Sequence, residues 1–159
     1  MNLERMMDFL QPSINAQPKL TLMAKQRTSI TWPEVRFFAP RSKCKIMEIV
    51  LTKDHMVLHM VHHADSIYIN GGWVRIHPEI FIRPSFTENI YRVKRVLGVP
   101  VYPDQHEYTS KDECLMFTLI FPRLPDDTIS FDLIEKEPSD DSFFNFYGVK
   151  FNSNHPTDL

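Results

Sequence analysis

The feature that most constrains this chain is the alternation of apolar and polar side chains between closely spaced prolines. Twelve prolines occur in 159 residues, and most of them stand between apolar runs. Proline lacks a backbone N–H, so it suits strand edges and turns rather than helix interiors. From Cys44 onward the runs have a period of two, with Met47, Ile49 and Leu51 on one face. This pattern favours short strands and argues against a helical bundle.

About eight such runs follow one another, separated by turn signals such as Asn-Gly-Gly at residues 70–72. Regular short strands without intervening helices are typical of a sandwich or a barrel. We therefore predict an all-β fold, an antiparallel immunoglobulin-like β-sandwich over residues 36–152. We expect an N-terminal arm over residues 1–35, in which residues 1–10 have the apolar spacing of a short helix. Residues 153–159 are predicted to form a tail.

Composition and charge exclude several classes of protein. The hydrophobic share of 43% and the charged share of 24% are ordinary for a globular domain. No run approaches the ~18 apolar residues of a transmembrane segment. The formal net charge of −2 gives no reason to expect nucleic acid as a partner. Residues 19–95 carry thirteen Lys/Arg against six Asp/Glu, and residues 96–159 carry four against twelve. We expect these charges to complement each other across neighbouring strands.

Four histidines fall within nine residues, at His55, His59, His62 and His63. On a strand, His59 and His63 share a face but stand ~13 Å apart at ~3.3 Å per residue, too far to bind one metal ion. A metal site would need a ligand from a neighbouring strand, such as His77. A metal-binding protein or metal-dependent enzyme using His59, His63 and His77 is therefore the alternative function. The simpler interpretation is one packed histidine, His59, among solvated ones.

The two cysteines, Cys44 and Cys114, exclude a disulfide scaffold and a multi-cysteine zinc site. Both lie at the edges of apolar runs, so we expect two buried thiols. A single bridge stays open, provided that the Cα atoms are ~4.4–6.8 Å apart.

Established catalytic motifs are absent, so we assign no catalytic residue and no cofactor. Exposed rings and basic side chains instead indicate a binding surface. The alternative is that the aromatic rings only contribute to the hydrophobic core. The candidate binding residues are Trp73, Arg75, Tyr91, Arg92, Phe144 and Phe146.

The sequence also supports two local predictions, one at Gly148 and one at Asp132. Gly148 stands between large neighbours on a predicted strand, which permits a bulge or the close approach of another backbone segment. Asp132 has the opposite parity to Leu133, so we expect its carboxylate to face water or the N–H groups of a turn.

Several segments occur in an order that carries a family resemblance, including Leu-Pro at 124–125 and Phe-Asp-Leu-Ile-Glu at 131–135. The segments are 46–52, 57–59, 73–76, 117–125, 131–135 and 146–149. Together they resemble a small β-sandwich domain of bacterial cell-envelope proteins. In that family the domain often precedes a thioredoxin-fold thiol–disulfide oxidoreductase domain, and it also occurs alone. The resemblance covers about residues 44–151.

The resemblance implies a fold and a compartment, the periplasm or cell envelope, rather than a chemistry. This chain has no Cys-x-x-Cys pair. Asp8 interrupts the apolar stretch that a secretory signal would need. The lack of a recognisable signal would instead indicate a cytoplasmic protein. We therefore expect a non-enzymatic accessory or binding module that is associated with the cell envelope and has an unknown protein or small-molecule partner.

Overall fold

The computed structural model describes residues 28–38, 43–138 and 143–151. These ranges contain twelve β-strands and no helix. Accordingly, no helix in them has the length and apolar character needed to cross a membrane. The helix expected over residues 1–10 and the tail over 153–159 lie outside the described residues.

The strands are β1 (Thr28–Thr31), β2 (Val35–Phe38), β3 (Cys44–Leu51), β4 (His55–His63), β5 (Trp73–Val74), β6 (Phe81–Pro84), β7 (Tyr91–Arg92), β8 (Arg95–Leu97), β9 (His106–Glu107), β10 (Cys114–Pro122), β11 (Ser130–Ile134) and β12 (Phe146–Lys150).

Ten of these strands form two five-stranded antiparallel sheets. Sheet one has the order β1-β3-β4-β10-β8, and sheet two has the order β2-β12-β11-β6-β7. β5 and β9 form a separate two-stranded pair. The predicted all-β sandwich is therefore confirmed, while its immunoglobulin-like arrangement stays a prediction. The four strands beyond the expected eight are β1, β2, β8 and β9, which have only two to four residues each, too few to give a recognisable alternation.

The N-terminal boundary of the sandwich differs from the expected one. β1 pairs with β3 from Thr28, opposite Leu51, to Thr31, opposite Glu48. The sandwich thus includes residues 28–35, which the sequence pattern assigns to an arm. β1 is an edge strand in which only Ile30 is buried, so its sequence carries almost no alternation.

The core lies between the two sheets, and alternate side chains of the long strands point into it. On β4 the side chains of Met56, Leu58 and Met60 are at most 1% exposed. They belong to the same apolar cluster as Phe131 and Leu133 of β11 in the other sheet. Burial of alternate side chains from both sheets is the main stabilising contribution to such a fold.

Gly148 lies at a bulge between β11 and β12. Its φ is +65°, and a Cβ atom there would lie 2.8 Å from the Arg36 Cβ. The register of the two strands shifts between Phe131 and Leu133. The Asp132 carboxylate accepts a hydrogen bond of 2.9 Å from the Gly148 N–H. Both local expectations are confirmed. Gly148 allows the bulge, and Asp132 accepts a hydrogen bond from the backbone N–H that the bulge removes from the pairing of the two strands.

Early basic and late acidic residues meet where β6 pairs with β11. Arg83 lies 3.5 Å from the carboxylate of Asp132 and 3.5 Å from that of Glu137. The expected charge complementarity is therefore present at this pair of strands.

Candidate functional site

A cleft of about 440 Å³ lies beside the β5–β9 pair, and its walls include the loop at residues 65–72 and residues 143–144. A smaller cavity of about 290 Å³ adjoins it. Arg75, Glu135 and Phe143 line both cavities. Since they share these three residues, we treat the two cavities as one site and call it the cleft.

One cationic group of the cleft, the guanidinium of Arg75, contacts two aromatic rings. Its Cζ atom lies over both, 4.7 Å from the ring centroid of Trp73 and 4.6 Å from that of Tyr102. Its Nη1 atom donates to the Gln105 side-chain oxygen at 3.3 Å and to the Pro103 carbonyl at 3.5 Å. The contacts with two rings and two hydrogen-bond acceptors restrict the orientation of the guanidinium and of its N–H edge.

Glu135 joins the walls of the cleft. It is 4% exposed, and its two carboxylate oxygens accept backbone N–H bonds of 2.9 Å from His77 and Phe144. Its own N–H donates to the side-chain oxygen of Asn145, which is 1% exposed. These bonds tie the segment after β5 to the end of β11 and to the entry of β12. A buried carboxylate bonded in this way acts as a structural brace.

His62 and Tyr108 form a buried pair at the base of the cleft. The His62 Nδ1 atom is 2.8 Å from the Tyr108 hydroxyl oxygen, and that oxygen is 3.1 Å from the His62 carbonyl. Both contacts are satisfied when Nδ1 carries the proton and the hydroxyl donates to the carbonyl. The two rings are nearly parallel, with centroids 5.8 Å apart, and Phe144 packs on His62 at 5.5 Å.

Burial determines the protonation of this pair. It lowers the pKa of His62 to about 4, with a further lowering from His63 and an opposing effect from Asp65. Burial also raises the pKa of the Tyr108 hydroxyl, as do the charges of nearby residues. His62 is therefore neutral at pH 7 and contributes no charge to the cleft.

The loop beside the cleft depends on two glycines. Gly71 and Gly72 have φ values of +92° and +83°, in the region that favours glycine. At Gly72 a Cβ atom would lie 2.9 Å from the Tyr68 ring, so the absence of a side chain lets that ring lie against the loop. Asp65 accepts the Ile67 N–H at 3.1 Å and fixes the first turn of the loop.

The charged side chains around the cleft are mainly basic. Lys43, Arg75 and Lys136 line it, together with the carboxylates of Asp65 and Glu135. Within the described residues none of the three cations has a carboxylate oxygen within 4 Å. The Glu135 charge is already bonded by backbone N–H groups, so the cleft favours an anionic ligand group.

The structure places the six predicted binding residues in three different environments. Trp73, Arg75 and Phe144 line the cleft, but Phe144 is 6% exposed and belongs to the core cluster, so its ring is not an exposed contact. Tyr91 and Arg92 lie on β7, at the edge of sheet two, and line neither cavity. Phe146 is 2% exposed and belongs to the core, so the interpretation of its ring as a surface contact is corrected. On β12 the side chains of Phe146 and Val149 both point inward, because the bulge at Gly148 shifts the alternation between them.

Two of the predicted metal ligands, His59 and His63, lie on the same strand, β4, and His77 lies on a different segment. His59 bonds Thr118 at 3.0 Å, His63 is exposed, and His77 lies beyond β5. Across residues 28–38, 43–138 and 143–151, no group of three or more His, Cys, Asp or Glu side chains is arranged to hold a metal ion. The packed histidine is His62, not His59, because His62 shares the inward parity of Met56, Leu58 and Met60.

The two cysteines differ in environment. Neither forms a disulfide bond; Cys44 is buried and Cys114 is exposed, so the expectation of two buried thiols holds for Cys44 alone. Burial, with the nearby charge of Glu135, raises the pKa of the Cys44 thiol well above its usual value. Cys44 is therefore protonated at pH 7 and packs as a small apolar side chain.

Sequence reasoning did not single out Tyr102, Tyr108 or Glu135 as site residues. The two tyrosines lie in a stretch where the strands are too short to give a pattern. Glu135 follows an apolar run and resembles an ordinary surface acid. The parity of His62 was the one available signal of its burial.

Comparisons of the chain with models of known families, with curated proteins and with solved structures found no match.

Proposed function

We propose that this protein is a non-enzymatic binding module whose ligand site is the cleft beside the β5–β9 pair. The observation that carries the proposal is the Arg75 guanidinium in contact with the rings of Trp73 and Tyr102 at a wall shared by both cavities. Concave sites that combine aromatic rings with a few fixed polar groups are typical ligand sites. Three residues expected to bind from the sequence, Trp73, Arg75 and Phe144, line this one surface.

The burial and bonding of the titratable groups support binding rather than catalysis. The Cys44 thiol is buried and protonated, and Glu135 is bonded by two backbone N–H groups. The Nδ1 atom of His62 is engaged by Tyr108. Groups that are buried or hydrogen-bonded in this way stabilise the fold around the cleft, which is the role expected of them in a binding module.

A thermal-shift panel of neutral saccharides, acidic saccharides, organic acids, nucleotides and short peptides tests the proposal. Wild-type protein is compared with Trp73→Ala, which removes one of the two rings. Trp32→Ala is the matched control, because Trp32 is 60% exposed and lines other cavities. We expect at least one ligand to raise the Tm of the wild type and of Trp32→Ala but not of Trp73→Ala. If every stabilising ligand acts equally on Trp73→Ala, or if none stabilises the wild type, the cleft is not the site.

The proposal includes an association with the bacterial cell envelope, which rests on the resemblance of residues 44–151 to the envelope β-sandwich family. Fractionation of native cells with an antibody against the protein tests this part. Recovery in the periplasmic or membrane fraction supports it, and recovery with cytoplasmic markers contradicts it.

A further inference from the structure

We propose that the cleft binds a saccharide that carries a carboxylate, and that Arg75 recognises the carboxylate. This inference rests on the proposed function and adds the ligand class and the residue that determines specificity. It is argued from three features of the cleft, namely the fixed guanidinium, the exposed rings and the distribution of charge.

The guanidinium of Arg75 has the geometry required for a carboxylate. Its Nη1 atom is bonded to Gln105 and Pro103, and within the described residues Nε and Nη2 have no protein partner. These two atoms form one edge of the planar group, and two parallel N–H donors match the two oxygens of a carboxylate. Because the contacts with Trp73 and Tyr102 restrict the guanidinium, less conformational entropy remains to be lost on binding.

The rings favour a sugar as the body of the ligand. Tyr68, Trp73 and Tyr102 are 54%, 46% and 51% exposed, although large aromatic side chains are usually more buried. Exposed rings in one concave surface indicate a ligand that covers them. A pyranose has an apolar C–H face that can lie on such rings, and its hydroxyl groups stay hydrogen-bonded at the rim of an open cleft.

The charges favour one or a few carboxylates over a polyanion. Lys43 and Lys136 flank the cleft with Arg75, while Asp65 offers an acceptor for sugar hydroxyl groups. With Glu135 also present, the excess of positive charge is small. Single-stranded nucleic acid is bound by grooves with strong positive charge along the backbone, so it fits these charges less well.

Isothermal titration calorimetry with trigalacturonate tests the inference. Its methyl ester is the matched ligand, because the sugars are the same and the charge is removed. We expect the acid to bind at least about 10-fold more tightly than the ester. Arg75→Gln should weaken binding of the acid by about 10- to 100-fold, the usual loss for hydrogen bonds to a charged group. Arg75→Lys should also weaken it, because the charge is kept and the paired donors are lost.

Arg83→Gln is the matched control variant. Arg83 also lies over a ring, 5.9 Å from the Phe81 centroid, and pairs with Asp132, but it lines neither cavity. It should bind trigalacturonate as the wild type does.

Equal affinity for acid and ester, or an Arg75→Gln variant with unchanged affinity, overturns the inference. Absence of trigalacturonate binding, or tighter binding of benzoate, inorganic phosphate or a thymidine hexanucleotide, overturns it as well. The thermal-shift panel with Trp73→Ala tests separately whether the cleft binds any ligand. A failure of the saccharide inference can therefore be distinguished from a failure of the proposed function.

Discussion

The buried neutral histidine at the base of the cleft predicts a loss of stability in weak acid. The pKa of His62 is lowered from 6.5 to about 4 by its burial. Between these two pH values the unfolded chain binds a proton at His62 and the folded protein does not. Stability from this residue is therefore complete above pH 6.5 and is lost as the pH falls toward 4. At about 1.4 kcal/mol per pH unit, the loss between pH 7.5 and 4.5 is about 2 to 3 kcal/mol.

Urea unfolding followed by far-UV circular dichroism at pH 7.5, 6.0 and 4.5 measures this effect. His62→Gln removes the titrating group and keeps a side chain that can bond Tyr108. Carboxylates titrate equally in both proteins, so the comparison isolates the histidine. The free energy of unfolding should fall by about 2 to 3 kcal/mol less in His62→Gln than in the wild type over this pH range. His55→Gln, at the other end of β4, should behave as the wild type. Parallel pH profiles for the wild type and His62→Gln would refute the reasoning.

Three further substitutions test the fold by urea unfolding at pH 7. Gly71→Ala should lower the free energy of unfolding by about 2 kcal/mol or more, since φ is +92° and the new Cβ would lie 2.7 Å from the Ser110 carbonyl oxygen; a neutral effect would contradict the loop conformation. Asp132→Ala should cost about 1 to 3 kcal/mol, because the Gly148 N–H loses its acceptor; unchanged stability would mean that water replaces the bond. Phe131→Ala should cost about 3 to 5 kcal/mol, as expected for a fully buried ring, and a loss below 1 kcal/mol would argue against the core as described.

The alternation of side chains predicted the sandwich, because successive side chains of a strand point to opposite faces whatever the rest of the fold. The long strands β4, β10 and β11 follow it, with side chains such as Leu58, Leu119 and Leu133 directed inward. The roles of Gly148 and Asp132 could also be predicted from the sequence. A bulge needs a residue that adopts a positive φ, and the displaced N–H needs an acceptor.

Short elements escaped the same reasoning. β9 has only two residues, and β1 has a single buried side chain, so neither of them carries a period. Two residues form a strand only because a partner elsewhere in the chain supplies the hydrogen bonds, and that pairing is a property of the tertiary structure.

The sequence by itself determined the all-β class, the alternation of side chains on the long strands and the presence of Trp73 and Arg75 as surface candidates. Only the tertiary structure decided that Tyr102, from a segment 27 residues after Arg75, also contacts its guanidinium. It also decided that His62 meets Tyr108 in the interior. Burial and stacking depend on which distant segments the sheets bring together, and no local pattern of residues encodes that proximity.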